Sequence, residues 1–281
     1  MSGTLYVVGT PIGNLGDFSP RAAEILNQVD FIAAEDTRVT LKLLSHFGIH
    51  KPMVSYHEHN LRAKGRQITE RIQSGESCAV VSDAGMPCIS DPGEDLVRLC
   101  AEEGIPVAVI PGPSAVISAL AVSGLSTSRF TFEGFLSTNR SGRMEHLSGL
   151  KQEKRTMVFY EAPHKLLSTL KDLREAFGGE RRISLCRELT KRYEEVVRTT
   201  LEEAVGRYTD QTLKGEFVLV LEGAPPDQEE AFTLEQAVAL GRELAESGKK
   251  AAEAAKEAAR LSGFPKAEIY RGMMAEQEAG R

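Results

Sequence analysis

Apolar residues in the first 120 positions come in short unbroken runs: LYVVG (Leu5 to Gly9), DFIAAE (Asp30 to Glu35), Met53 to Tyr56, Cys78 to Ser82 and Val107 to Ile110. Runs of four to six apolar residues without alternation predict strands buried on both faces. The stretches between them carry helical periodicity. Ser19-Pro20 supplies an N-cap and a first-turn proline for a helix to about Gln28, and Gly48 closes another that spans Thr37 to Phe47. Strands alternating with helices predict a mostly parallel sheet covered on both sides.

The texture changes near Leu125. FTFEGF (Phe130 to Phe135), RTMVFYEA (Arg155 to Ala162), ISLCREL (Ile183 to Leu189), EEVVRTT (Glu194 to Thr200) and EFVLVLEG (Glu216 to Gly223) read as strands with only two or three helices between them, notably His164 to Phe177. The pattern predicts an N-terminal α/β domain over 1–124 and a second α+β domain over 125–223 with some antiparallel pairing. Residues 224–230 are a linker by composition. A small helical domain follows over 231–281, with helices expected at Leu234 to Glu246, Lys250 to Leu261 and Lys266 to Ala275. The SGFPK turn between the last two gives it a helix-turn-helix-like corner.

Two loops stand out at expected strand ends. SDAGMPCISDPG (Ser82 to Gly93) and IPGPSA (Ile110 to Ala115) concentrate Gly, Pro, Ser and Asp at the carboxyl edge of the sheet, where open α/β folds bind ligands. In the first, Asp83, the Gly85 backbone and Met86 lie side by side, a mixture of acceptor, backbone and apolar groups that suits S-adenosylmethionine. A rigid turn is the other reading, with Ser90 or Asp91 capping a helix that starts near Pro92. TPIGN (Thr10 to Asn14) has neither dinucleotide nor phosphate-loop spacing, and Pro11 removes an amide that a phosphate would use. That loop fits an apolar or cationic ligand part better.

Four further motifs carry candidate chemistry. In EDTR, Asp36 reads either as a helix N-cap beside a solvated Arg38 or as one half of a phosphate or ribose grip with it. SYHEHN puts His57 and His59 on one face of an extended segment with Glu58 opposite, but no third ligand lies at metal spacing, so no metal is expected and a substrate contact or general base is the preferred role. FYEAPH ends a strand with Glu161 and His164. CRELTKRYEE carries Arg187, Glu188, Lys191 and Arg192; with Arg140, Arg143, Lys151, Lys154 and Arg155 it would give the second domain a basic face for RNA.

Composition narrows the partners. A net charge of −6 over 281 residues argues against a mainly electrostatic nucleic-acid binder without excluding a local basic face. Cys78, Cys88, Cys100 and Cys186 form no CxxC pair, which predicts reduced thiols in a cytoplasmic protein. No apolar run approaches the ~18 residues of a membrane span.

The motifs TPIGNLGD, AEDTRVT, SYHEHN, SDAGMPCISDPG, IPGPSA, FYEAPH, RELTK and KGEFVLVLEG occur in this order over about residues 4–223. Taken together they resemble the tetrapyrrole-methylase-like superfamily of S-adenosylmethionine-dependent methyltransferases and, within it, the ribosomal RNA small subunit methyltransferase I family. The resemblance implies two α/β domains with the cofactor in the cleft between them, a homodimer, no metal, and 2′-O-methylation of a decoding-centre cytidine ribose in 16S ribosomal RNA of the small subunit. Cofactor contacts then fall on Pro11, Asp83, Ala84, Gly85, Met86, Ser114, Ala115 and Tyr160. RNA contacts then fall on Arg38, His57, Arg140, Arg143, Arg187 and Lys191. Glu161, His57 and Asp36 are the candidate bases. The chain departs from the family pattern after Leu136, where Ser137 to Arg140 replace a proline and lysine, and at Tyr193, where a histidine is usual. Two other functions remain open: a precorrin or tetrapyrrole methylase, and a ligand-sensing DNA-binding regulator. The tail's ten Glu against eight Lys and Arg from residue 229 onward weigh against the regulator.

Overall fold

A computed structural model describes residues 3–57, 61–209, 211–225 and 232–279; Glu58 and His59 lie outside the described residues. Met1–Ala224 forms one compact unit and Pro225–Arg281 a second. The first unit holds two five-stranded sheets, so the α/β architecture expected from the apolar runs is the one observed.

The first sheet is parallel throughout. Its strands are β1 (Leu5–Val8), β2 (Phe31–Ala34), β3 (Met53–Ser55), β4 (Cys78–Val81) and β5 (Val107–Ile110), in the order β3-β2-β4-β1-β5. Helices α1 (Pro20–Gln28) and α2 (Thr37–His46) cover the face formed by Val8, Ile32, Ala34, Ala79 and Val81. Helices α3 (Leu61–Gln73) and α4 (Glu94–Glu102) cover Leu5, Val7, Phe31, Ala33 and Val80 on the other face. Burial on both faces explains why β1, β2 and β4 read as continuous apolar runs. Ser19 caps α1 by accepting from the Ala22 amide at 3.1 Å, with Pro20 as its first residue.

The second sheet is mixed: β6 (Phe130–Phe135), β7 (Thr156–Glu161), β8 (Arg182–Arg187), β9 (Glu195–Thr200) and β10 (Phe217–Leu221), in the order β6-β7-β10-β8-β9. Only β6 and β7 run parallel; the other neighbours are antiparallel. Helices α6 (Arg140–Gly149), α7 (Leu166–Phe177) and α8 (Leu201–Tyr208) bury one face. The opposite face, through Val158, Val218 and Val220, packs on Val116, Ala119 and Leu120 of α5 (Ala115–Val122). Because α5 leaves the first sheet and lands on the second, it locks the carboxyl ends of β1, β4 and β5 against β7 and β10.

The second unit is a three-helix cluster of α9 (Leu234–Glu246), α10 (Ala251–Ser262) and α11 (Lys266–Ala279), cored by Ala237, Val238, Ala254, Ala255, Ala258, Ile269 and Met273. Thr233 and Gln236 form a reciprocal capping box at its start. Among the described residues, no helix is long and apolar enough to cross a membrane, and no three His, Cys, Asp or Glu side chains are grouped to hold a metal ion.

Candidate functional site

The loops that follow β1, β4 and β5 meet at the carboxyl edge of the first sheet. Thr10 and Gly85 form a two-way backbone bridge, with Thr10 N donating to Gly85 O at 2.8 Å and Gly85 N donating to Thr10 O at 3.1 Å. Gly9 and Gly112 approach so closely that a Cβ on either would lie 2.7 Å from the other's Cα. These contacts fix the backbone on one side of a cavity of about 400 Å³, a size in the usual range for small-molecule sites, about 300–1,000 Å³.

Residues from both sheets line it. Ile12, Ala84, Gly85, Met86, Ile89, Ser90, Asp91, Ser114 and Ala115 come from the first; Phe135, Tyr160, Glu161, Glu188, Leu189, Lys191, Glu216 and Val218 come from the second. Of the eight positions assigned to the cofactor by resemblance, Ala84, Gly85, Met86, Ser114, Ala115 and Tyr160 line the cavity; Pro11 and Asp83 are chain neighbours of lining residues. Ser114 sits at the N-cap of α5 but its hydroxyl makes no capping bond.

Backbone strain concentrates here. Among the described residues the non-glycine positions with positive φ are Cys88 (71°), Ser90 (63°), Glu188 (51°) and Thr190 (65°). The first pair lies in the loop after β4 and the second in the loop after β8. Such conformations cost about 1–3 kcal/mol each and persist where surrounding structure imposes them, commonly at functional sites.

The expected cap by Ser90 or Asp91 is not what forms. Helix α4 begins at Glu94, Gly93 occupies the N-cap with φ 132°, and no side chain caps it. Asp91 is thereby released from a local role and faces the cavity. Burial pushes its carboxyl up to about 6; the Glu35 charge adds to this, the Ser82 hydroxyl bond partly offsets it, and Asp83 adds further. Glu35 is raised for the same main reason, burial, against the hydrogen bond it accepts from the Asp83 amide; the Asp83 and Asp36 carboxylates add to the rise and His57 opposes it. Asp83 is raised by burial, which outweighs the hydrogen bond its carboxylate accepts from the Asp36 amide. Tyr160, across the cavity, is pushed up to about 12 by burial and then by Asp91.

The three base candidates named from sequence separate clearly. Glu161 lines the cavity, but one carboxylate oxygen accepts from the Ala162 amide at 2.8 Å and the other from the Thr169 hydroxyl at 2.5 Å. Asp36 is outside the cavity lining and caps α2, accepting from the Arg38 amide at 2.8 Å; the Arg38 guanidinium holds its carboxyl far below the usual range. His57 is half-buried beside the Glu35 charge. Asp91, which sequence reasoning treated only as a cap, combines exposure to the cavity with a raised affinity for a proton.

The basic residues divide as well. Arg38 is 87% exposed. Lys191 lines the cavity with its Nζ 2.9 Å from both Glu188 and Glu216; burial works against its charge, but these two hydrogen bonds outweigh it and hold the ammonium protonated. Arg187 is half-buried, its Nε donating to the Lys214 carbonyl at 2.8 Å. Arg143 is nearly buried. On α6 it donates to Asp172 of α7 at 2.7 Å and to the Ser137 carbonyl at 2.8 Å, so it adds little to an exposed basic face. Arg140 is exposed but also pairs with Asp172 and Glu175. The Ser137–Arg140 departure from the family pattern has a local use: Asn139 caps α6, accepting from the Ser141 amide at 2.9 Å.

Comparisons agree with this architecture. The sequence profile of the Tetrapyrrole (Corrin/Porphyrin) Methylases matches residues 4–205. Proteins named ribosomal RNA small subunit methyltransferase I from Synechocystis sp. (48% identical, covering 95% of this chain and 96% of that protein) and Pseudomonas aeruginosa (45%, covering 98% of each) are similar over nearly the full length. Among solved structures, uroporphyrin-III-C-methyltransferase from Thermus thermophilus superposes with a TM-score of 0.56 at 20% identity, over 78% of this chain and 94% of that one. A second structure of that enzyme, complexed with S-adenosyl homocysteine, gives 0.55 at 17% identity over 78% and 97%.

Proposed function

Since the chain belongs to the tetrapyrrole methylase family, and to its ribosomal RNA small subunit methyltransferase I branch, we propose that it transfers a methyl group from S-adenosylmethionine to the ribose 2′-oxygen of a decoding-centre cytidine in 16S ribosomal RNA. One observation carries the choice of substrate. The tetrapyrrole-methylase structures cover 78–80% of this chain while using 94–100% of their own length. The ribosomal RNA methyltransferase relatives instead match 95–99% of it, helical tail included. Similarity that extends over the whole chain with one group and stops at about four-fifths of it with the other points to the substrate of the first.

The cavity suits the cofactor. Apolar walls at Ile12, Met86, Leu189 and Val218 fit its hydrophobic parts, and the backbone at Ala84, Gly85, Ser114 and Ala115 supplies polar groups. When bound, it supplies an electrophilic methyl; the protein's residues do the rest. The cavity walls align the ribose oxygen, an effect worth roughly 7–11 kcal/mol of barrier when alignment is near ideal. Asp91 takes the proton from the 2′-hydroxyl. Arg38, Lys191, Arg187, His57 and the exposed edge of Arg140 contact the RNA. No acid is needed, because the leaving group is a neutral thioether.

The test is transfer of tritiated methyl to 30S subunits from cells lacking the modification, followed by mapping of the labelled nucleotide. Label on one cytidine ribose is expected. Label on a tetrapyrrole and none on the subunit would replace the reading. An enzyme acting on ribosomal subunits works in the cytoplasm.

We also propose a homodimer through the edge of the first sheet. Val107 and Val109 pair with Leu5 and Val7 and so project from the face that α3 and α4 cover, yet at β5 they are 39% and 55% exposed. Apolar residues exposed on an unpaired parallel edge are a liability unless covered. Val109→Glu is expected to shift the protein from dimer to monomer in sedimentation equilibrium while retaining the parent's circular dichroism. An unchanged dimer would remove this surface from the interface.

A further inference from the structure

Strand β6 contains an irregularity that decides where one aromatic ring points. Phe130 pairs with Thr156 and Phe132 with Val158, but Gly134 then pairs with Phe159 and Phe135 with Tyr160, so one residue is skipped opposite β7. Gly134 takes φ +66°, which a side chain would resist. In a regular strand Phe132 and Phe135 would face opposite sides, three residues apart. The bulge puts both on the side of Val158 and Tyr160. A bulge that re-aims a side chain is a recurring device beside active sites.

The re-aimed ring stands at the mouth of the cavity. Phe135 lines it and is nevertheless 62% exposed. Its inner side rests on Tyr160, with centroids 5.3 Å apart and planes at 58°, and Tyr160 in turn packs edge-on against Phe132 at 5.0 Å and 69°. The bulge lies against the loop that carries Asp91: a Cβ on Gly134 would come within 3.5 Å of the Ser90 hydroxyl. Ile89, 49% exposed, belongs to the same loop. A phenylalanine packed on Tyr160 from behind, with its outer surface in solvent at the edge of a cavity that Asp91 also lines, is costly as a structural element. It is well suited to receive a planar, uncharged ring.

We propose that Phe135 is the stacking platform for the base of the target nucleotide, so that the base rests at the cavity mouth while its ribose reaches toward Asp91. This rests on the RNA reading given above. A base drawn out of its own stack needs a replacement surface, and aromatic side chains supply it in proteins that take single nucleotides out of RNA. Stacking is tolerant of base identity, so Phe135 would hold the base without by itself selecting cytosine.

The experiment compares the parent with Phe135→Ala, Phe135→Leu and Phe135→Trp on 30S subunits, together with S-adenosylmethionine affinity by calorimetry. Phe135→Ala is expected to raise KM for the subunit by about 5- to 150-fold, the range given by removal of one stacking partner, with cofactor affinity unchanged. Phe135→Trp should restore KM and Phe135→Leu should not. A parallel loss of cofactor affinity would make the ring a cover for the cofactor and overturn the proposal, as would a leucine variant equal to the parent. Failure of the parent to label the subunit sinks the RNA reading itself; full parental turnover with an unaltered alanine variant sinks the stacking role alone.

Discussion

Asp91→Asn is expected to lower methyl transfer by about 10²–10⁴-fold, the usual contribution of a positioned general base, while S-adenosylmethionine binds within a few-fold of the parent. The expectation follows from the ionisation of the site. A base must be ionised at working pH yet hold a proton well enough to draw it from a hydroxyl. Burial and the neighbouring Glu35 charge bring Asp91 to about 6, close to that compromise. The groups facing it are Glu35 at the end of β2, Ser82 and Asp83 after β4, Cys88 within its own loop, and Tyr160 on β7. Because the raised value belongs to the acid form, kcat/KM should fall tenfold per pH unit below about 6 and level off above it. The asparagine variant should lose that acid limb. An asparagine variant within tenfold of the parent, with the limb intact, would take Asp91 out of the proton transfer. Glu161→Gln offers the contrast: its two oxygens already accept from Ala162 and Thr169, so its loss should appear in stability more than in the pH profile.

The buried strands of both sheets and the loops at the carboxyl edge of the first are legible in sequence because burial on both faces leaves an unbroken apolar run, as in β2, β4 and β10, and a functional loop leaves clustered Gly, Pro and Asp. What sequence does not reveal is set by contacts across the fold. Asp91 precedes Pro92 and Glu94 and so resembles a cap, and only the left-handed turns at Cys88 and Ser90 with Gly93 at the N-cap swing it toward the cavity. The positive φ at Ser90 is a tertiary demand on a residue whose type does not announce it. Similarly, FTFEGF reads as a uniform strand. The glycine hints at a bulge, yet the side on which Phe135 emerges depends on the register with β7.

Arg143 shows the same limit in electrostatics, and it leads to the largest stability effect expected in this chain. In sequence it belongs to a cationic cluster; in the fold its counterion lies 29 residues away on the next helix. Asp172 is 4% exposed and Arg143 8%. Asp172 accepts from Arg143 through Nε at 2.7 Å and Nη2 at 2.6 Å, and from Arg140 at 3.1 Å, while the remaining Arg143 nitrogen donates to the Ser137 carbonyl. Removing the carboxylate leaves a guanidinium that cannot lose its proton and is largely shielded from water. Asp172→Ala should therefore cost about 3–5 kcal/mol and lower the Tm of the first unit by roughly 10 °C, at about 2–4 °C per kcal/mol for a unit of this size. Thermal unfolding followed by circular dichroism measures it. If Arg143 were instead a surface contact for RNA, Asp172→Ala would leave Tm nearly unchanged and tighten subunit binding by freeing a cation. The double variant Arg143→Met, Asp172→Leu separates the two accounts further. Replacing a buried ion pair by apolar side chains of similar volume is often neutral or stabilising, so most of the lost Tm should return with methyl transfer near the parental rate. A double variant that folds as well as the parent but no longer engages the subunit would restore Arg143 to the RNA-binding surface.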